Sequence, residues 1–138
     1  MLIADIMTPT IVTARPEDTV RRALLLLEDQ DIRHLPVIDD ERNLVGLVSD
    51  RDLREYRLPV MEELEHPDQA DDLLDTPLSE VMNSEVVSVD SGEDVVAAID
   101  LMIEYRVGAL PVLDGRELVG IVSYVDLLRL ARDVLAAG

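Results

Sequence analysis

The sequence predicts a mixed α/β (α+β) fold in which one β-α-β-β-α unit is given twice. Three observations carry that expectation. The stretch Gly46-Leu47-Val48-Ser49-Asp50-Arg51-Asp52-Leu53 returns as Gly120-Ile121-Val122-Ser123-Tyr124-Val125-Asp126-Leu127. Met7, Val12 and Leu35-Pro36-Val37 recur as Met82, Val87 and Leu110-Pro111-Val112, all at an offset of 75 residues. Each copy also alternates short β-branched runs with stretches of helical period.

Taken in order, Thr10 to Ala14 and Val86 to Val89 are short, β-branched and closed by helix-start signals, which predicts a strand in each copy. Pro16, with Glu17 and Asp18, suits a first helical turn, and Ser91 suits a cap ahead of Glu93 and Asp94. The helices that follow place Val20, Ala23, Leu24 and Leu27, then Val95, Ala98, Ile99 and Met102, on one face. Ile32 to Ile38 and Val107 to Leu113 read as strands, each with a proline whose missing N–H leaves a gap in the ladder. Polar turns at 39–43 and 114–117 lead into the strands Leu44 to Val48 and Leu118 to Val122, which makes a hairpin in each copy. Asp52 to Tyr56 and Val125 to Val134 complete the units as helices.

This spacing divides the chain into a first repeat at 1–57, an acidic, partly helical connector at 58–76 and a second repeat at 77–138. A chain of 138 residues is long enough for a real core. With no Phe or Trp and only three Tyr, that core is aliphatic.

The formal net charge is −18 and every basic residue is arginine, so the mean field repels nucleic acid and anionic membranes. Neither is expected as a partner, and a phosphate ligand needs local arginines or a divalent cation. The absence of cysteine excludes disulfides, thiolate metal sites and thiol catalysis. The N-terminus has no basic region followed by an apolar core, and apolar runs reach about five residues where a span needs roughly 20. The expected location is the cytoplasm.

Ser49 with Asp52, and Ser123 with Asp126, have two readings. One is a capping box, worth about 1 kcal/mol to the helix. The other is an anion site at a helix start, with the carboxylate accepting both hydroxyls of a ribose. His34 is flanked by apolar residues and His66 lies in the connector, so no metal spacing and no catalytic dyad can be assembled. Arg51, Arg54 and Arg57 follow the first box at three-residue spacing, where they either supplement a phosphate site or pair with surface carboxylates. No reaction centre is expected, and the chain is not read as an enzyme.

The doubled order Asp-Ile-Met, Val-Thr, amphipathic helix, His-Leu-Pro-Val-Ile-Asp and Leu-Val-Gly-Leu-Val-Ser-x-x-Asp resembles a tandem pair of cystathionine-β-synthase (CBS) domains, also called a Bateman module. The resemblance covers almost the whole chain, apart from the connector and the last few residues, so no separate catalytic domain is expected. It implies two CBS repeats packed about a pseudo-twofold axis, with two clefts that in the family often hold AMP, ADP, ATP or S-adenosylmethionine, and a regulatory sensor rather than a catalyst. Two such pairs commonly associate, and the leucine-dense helices fit a homodimer.

Carried over by position, one cleft combines Leu47, Ser49 and Asp52 with Met82, Val87, Val107 and Gly108, and Arg33 and His34 stand where the family places phosphate-binding cations. The second combines Ile121, Ser123 and Asp126 with Met7, Val12 and Ile32. There Gly108 and Ala109 replace the two cations, so the Asp52 cleft is expected to prefer phosphorylated adenosines and this one to be empty, weaker or suited to a less anionic ligand. No cofactor is required beyond the nucleotide itself, with Mg²⁺ as a companion ion, and any regulated protein partner is unspecified. The competing reading is an oligomerisation and assembly module whose clefts take no small molecule.

Overall fold

The computed structural model describes residues 1–9, 12–56 and 65–138. Its elements are α1 (Ile3–Ile6), α2 (Val20–Asp29), β1 (His34–Ile38), β2 (Leu44–Ser49), a 3-10 turn at Arg54–Tyr56, α3 (Pro67–Leu74), a second 3-10 turn at Leu78–Glu80, β3 (Val89–Asp90), α4 (Val95–Tyr105), β4 (Ala109–Asp114), β5 (Glu117–Ser123) and α5 (Tyr124–Ala137). They form two compact units. The central unit is Val12–Glu85, and the terminal unit joins Met1–Ile11 to Val86–Gly138.

In the central unit β1 and β2 form an antiparallel hairpin with His34 opposite Ser49 and Pro36 opposite Leu47, and Ala14 adds a parallel bridge to Val37. Pro36 lacks an N–H, but its carbonyl accepts from Ala14 N–H at 2.9 Å, so the edge that proline leaves open is used. The period of α2 turns Val20, Ala23 and Leu27 onto this sheet, where they pack with Leu35, Val37, Val48, Leu53 and Leu78. The connector contributes α3, tied to α2 by Arg21, whose Nη2 donates to Asp71 at 3.1 Å.

The terminal unit repeats this plan. Strands β4 and β5 pair antiparallel, Ala109 faces Ser123, and β3 runs parallel to β4 with Val89 opposite Val112. Both hairpins carry a register shift at the same place, Val37/Ile38 and Val112/Leu113. The turns differ because one residue was lost. Gly115 takes φ +64 in the two-residue turn, whereas in the longer one Asp39 accepts from the N–H groups of Glu41 and Asn43, both at 2.9 Å. Those bonds, with Asn43 first, hold the Asp39 carboxyl below the usual range.

Each unit holds a short segment that lies against the start of its first long helix, near the end of the central unit's chain and at the beginning of the terminal one's. In the central unit Thr76 O accepts from Val20 N–H at 2.9 Å and Leu78 N–H donates to Asp18 O at 2.8 Å. In the terminal unit Met1 O accepts from Val95 N–H at 3.0 Å and Ile3 N–H donates to Glu93 O at 2.9 Å. Ile3 and Leu78 occupy matching places and both are fully buried.

Four local expectations are corrected. The first strand of the second copy covers Val89–Asp90 rather than Val86 to Val89. Pro16 is not in the first turn of α2, nor does Ser91 cap α4. Thr19 caps α2, its side chain accepting from Arg22 N–H, and Asp94 caps α4 by accepting from Val96 N–H. The reason is that the Pro16 and Ser91 carbonyls are already taken, by Ser79 N–H at 2.9 Å and Ala4 N–H at 3.0 Å, which holds both residues in turns ahead of the helices. Asp52 to Tyr56 is not α-helical but a turn followed by the 3-10 residues. Of the remaining expectations, those on Thr10, Arg57 and connector residues 58–64 lie outside the described residues.

Candidate functional site

The two Ser-x-x-Asp boxes sit where a buried strand ends and the chain turns sharply. In the central unit Ser49 closes β2, Ser49 N–H donates to Asp52 Oδ2 at 2.9 Å, and Asp52 N–H donates to Ser49 Oγ at 3.2 Å. That reciprocal pair is a capping box even though only a 3-10 turn follows. The capping reading is therefore observed, and it leaves Asp52 exposed, with Oδ1 accepting no hydrogen bond among the described residues.

His34 lies opposite Ser49 across the hairpin, half-buried. Burial pushes its pKa down and the neighbouring Asp52 carboxylate pulls it partly back. Arg33 precedes it, three-quarters exposed, with Nη1 3.8 Å from Asp50 Oδ2. Leu47 exchanges backbone hydrogen bonds of 3.0 Å with Asn83, and this places Met82 directly over Gly46. The central unit therefore brings Arg33, His34, Leu47, Ser49, Asp52 and Met82 onto one hairpin and the segment laid beside it. A cavity of about 380 Å³ opens beside Asp52, lined also by Arg51, Arg54, Glu55, Tyr56, Glu80 and Val81. Glu55, Tyr56, Glu80 and Val81 were not anticipated. Glu80 and Val81 belong to the segment delivered by the Thr19–Pro77 bridge, a pairing with no local sequence signal.

The terminal unit assembles the matching set differently. Ser123 N–H and Ser123 Oγ–H both donate to Asp126 Oδ2, at 2.8 and 3.1 Å, and Asp126 N–H donates to Ser123 Oγ at 3.3 Å. Thr8 Oγ1 adds a bond of 3.3 Å to Asp126 Oδ1. Asp126 is buried, at 9% exposure, whereas Asp52 is exposed. Ile121 exchanges backbone bonds with Thr8, and Met7 lies over Gly120. Where the central unit has Arg33 and Asp50, this one has Gly108 and Tyr124, the ring standing 3.4 Å from where a Gly108 Cβ would be.

Val87, Val107 and Gly108, expected beside Asp52, belong to the terminal unit, and Val12 and Ile32, expected beside Asp126, belong to the central one. Among the described residues no group of three or more His, Asp or Glu is arranged to hold a metal ion. No helix there is long and apolar enough to cross a membrane.

A family model described as CBS domain matches residues 3–62 and 78–133. A CBS domain-containing protein of Dictyostelium discoideum is 35% identical over 137 residues, covering 98% of this chain and 94% of that one. Among solved structures, CBSX2 in complex with AMP superposes with a TM-score of 0.77 at 29% identity, over 96% of this chain and 97% of that one. A CBS domain pair in complex with 5'-methylthioadenosine and S-adenosyl-L-methionine gives 0.78 at 26% identity, over 96% and 97%. Other relatives are longer. The chain spans 32% of an uncharacterized protein of Methanocaldococcus jannaschii, to which it is 28% identical over 96% of its own length. It spans 22% of that organism's inosine-5'-monophosphate dehydrogenase, at 29% identity over 91% of its own length.

Proposed function

This chain belongs to the CBS domain family, and on that premise we propose that it is a cytoplasmic regulatory sensor whose Asp52 corner binds an adenosine-containing ligand. The observation that carries the reading is the state of the Asp52 carboxylate. One oxygen is held by Ser49 N–H, which fixes the group's direction, while the other accepts nothing among the described residues and the side chain is exposed. A ribose offers two adjacent hydroxyl donors, and an oriented carboxylate is the acceptor that suits them.

The surroundings suit the rest of such a molecule. Leu47 and Met82 provide aliphatic surface for a base, and Ser49, Arg33 and His34 provide donors for phosphate oxygens. Arg51 and Arg54 line the cavity beside Asp52 together with Glu55 and Glu80, so the two arginines offset only part of the acidic charge there. Arg33 must be shared between a phosphate and Asp50. In the solved relatives the bound molecules are AMP, 5'-methylthioadenosine and S-adenosyl-L-methionine, all built on adenosine. The matched enzyme covers far more than this chain, so regulation of a partner, rather than catalysis, is the role proposed here.

A thermal-shift panel of AMP, ADP, ATP and S-adenosylmethionine, with and without Mg²⁺, tests the reading. Ligand at 100 times its Kd adds about 2.7 kcal/mol of stability. A shift in wild type that is lost in Asp52→Asn supports the proposal, since Asn keeps an acceptor for Ser49 N–H and leaves the unliganded protein nearly unchanged. No shift with any compound at millimolar concentration overturns it. That result would favour a homodimeric assembly module, a reading supported by the exposed Val96, Ile103, Leu128 and Leu135 on α4 and α5.

A further inference from the structure

Thr8 and Asn83 stand at matching places in the two units. Thr8 exchanges backbone bonds of 2.8 and 2.9 Å with Ile121, and Asn83 exchanges bonds of 3.0 Å with Leu47. Each follows a methionine that lies over a glycine, Met7 on Gly120 and Met82 on Gly46. The backbones agree and the side chains do not. Thr8 Oγ1 donates to Asp126 Oδ1 at 3.3 Å, while Asn83 Oδ1 turns back to accept from Glu85 N–H at 3.1 Å. Asp126 therefore has both carboxylate oxygens engaged, and Asp52 has one.

We propose that Thr8 is a built-in occupant of the Asp126 carboxylate, and that the residue at this place, Thr8 or Asn83, decides which Ser-x-x-Asp corner accepts a diol-bearing ligand. A vicinal diol gives one hydroxyl to each carboxylate oxygen, so it must take Oδ1, which the Thr8 hydroxyl already holds in the terminal unit. The threonine hydroxyl presents the same kind of donor as a sugar hydroxyl, from within the chain. Asn83 presents no such group to Asp52. The device is biased rather than absolute, because a bond of 3.3 Å is long for an O–H donor and a carboxylate keeps further lone pairs. The inequality between the corners then rests on this side chain, beside the second donor that Ser123 Oγ–H gives Asp126 Oδ2 and the Arg33 and His34 pair that only the central unit carries.

This inference rests on the reading that Asp52 accepts a ribose, and titration calorimetry with AMP separates the two. In wild type AMP binds at the Asp52 corner, and in an Asp52→Asn background any remaining heat reports Asp126. Adding Thr8→Val to that background is expected to strengthen the remaining binding about tenfold, the loss of roughly one competing charge-assisted hydrogen bond. Thr8→Ser, which keeps the hydroxyl, gives no gain. Asn83→Thr alone is expected to weaken the Asp52 corner about tenfold, and as a separate substitution in the other unit it stands even if Thr8→Val unfolds. AMP binding by wild type with Thr8→Val equal to Thr8→Ser, or with Asn83→Thr unchanged, overturns this inference and leaves the functional reading intact. Failure of wild type to bind AMP or S-adenosylmethionine overturns the reading, and this inference with it.

Discussion

The carbonyl oxygen of Thr8 stands 2.8 Å from the position a Cβ on Gly120 would take, while it accepts a hydrogen bond of 2.9 Å from Ile121 N–H. At the matching place in the central unit, a Cβ on Gly46 would meet the Met82 side chain, with Cγ at 2.8 Å and Cβ at 3.2 Å. The two glycines are required by close approach, and the obstacles differ in kind. A methionine side chain can swing aside, whereas a carbonyl held in a bridge cannot move without breaking it.

Gly120→Ala is therefore expected to cost more than Gly46→Ala. The first falls in the range of about 1–3 kcal/mol seen for overpacking, and the second at or below its lower end. Urea unfolding of both variants checks the order, and equal losses would mean that the Thr8 bridge yields as easily as a side chain.

A related prediction concerns the ends of the first helix in each unit. Asp31 and Arg106 occupy matching places, and both adopt left-handed φ, 50° and 54°. Side chains pay for that conformation with a clash of Cβ against the backbone, and glycine does not. Arg106→Gly is expected to raise stability by about 0.5–1 kcal/mol. The gain should appear in the melting temperature of the unliganded protein, and a loss would show that the Arg106 side chain makes a contribution larger than the backbone strain.

These positions also show where sequence reading succeeds and stops. The buried faces of α2 and α4 were legible because Val20, Ala23 and Leu27, and Val95, Ala98 and Met102, repeat the helical period, which the cores then bury. The hairpins were legible from polar turns between aliphatic runs, and the capping boxes from their three-residue spacing. The helix starts were misplaced because Pro16, Glu17, Asp18 and Ser91 are sound helix-start residues by composition, and what excludes them is a carbonyl bonded to a distant segment. The left-handed caps gave no signal, since neither is glycine. Nor could the Thr8 to Asp126 bond be foreseen, as 118 residues separate the partners.

His34 supplies a pH dependence of known sign. Burial lowers its pKa below the free imidazole value of about 6.5, with the Asp52 carboxylate opposing. The unfolded chain then binds the proton more readily than the folded one, so the neutral imidazole's contribution is present above about pH 6.5 and is lost as pH falls through the lower, folded value. Relative to His34→Gln, wild type should lose stability between pH 7.5 and pH 5.5. Parallel unfolding curves for the two proteins across that interval would show that the imidazole is not held in its neutral form by the fold.

The contrast between the two carboxylates yields a stability test that needs no ligand. Asp126 is buried and accepts from Ser123 N–H, Ser123 Oγ–H and Thr8 Oγ–H, whereas Asp52 is exposed and accepts only from Ser49 N–H among the described residues. Removing Asp52 forfeits one half of an exposed capping box, about 1 kcal/mol or less. Removing Asp126 leaves three donors short of an acceptor in a partly closed corner, where each unmade bond to a charged group costs more, so a loss of roughly 2–3 kcal/mol follows for Asp126→Ala. Because Thr8 sits on the segment that carries Ile3 into the terminal core, this loss should be accompanied by faster amide exchange at Ile3 and Thr8, which Asp52→Ala would leave untouched. Equal losses for the two alanine variants would mean that the buried carboxylate does not fasten the N-terminal segment, and that its hydrogen bonds to Ser123 and Thr8 are no stronger in effect than a single cap at the surface.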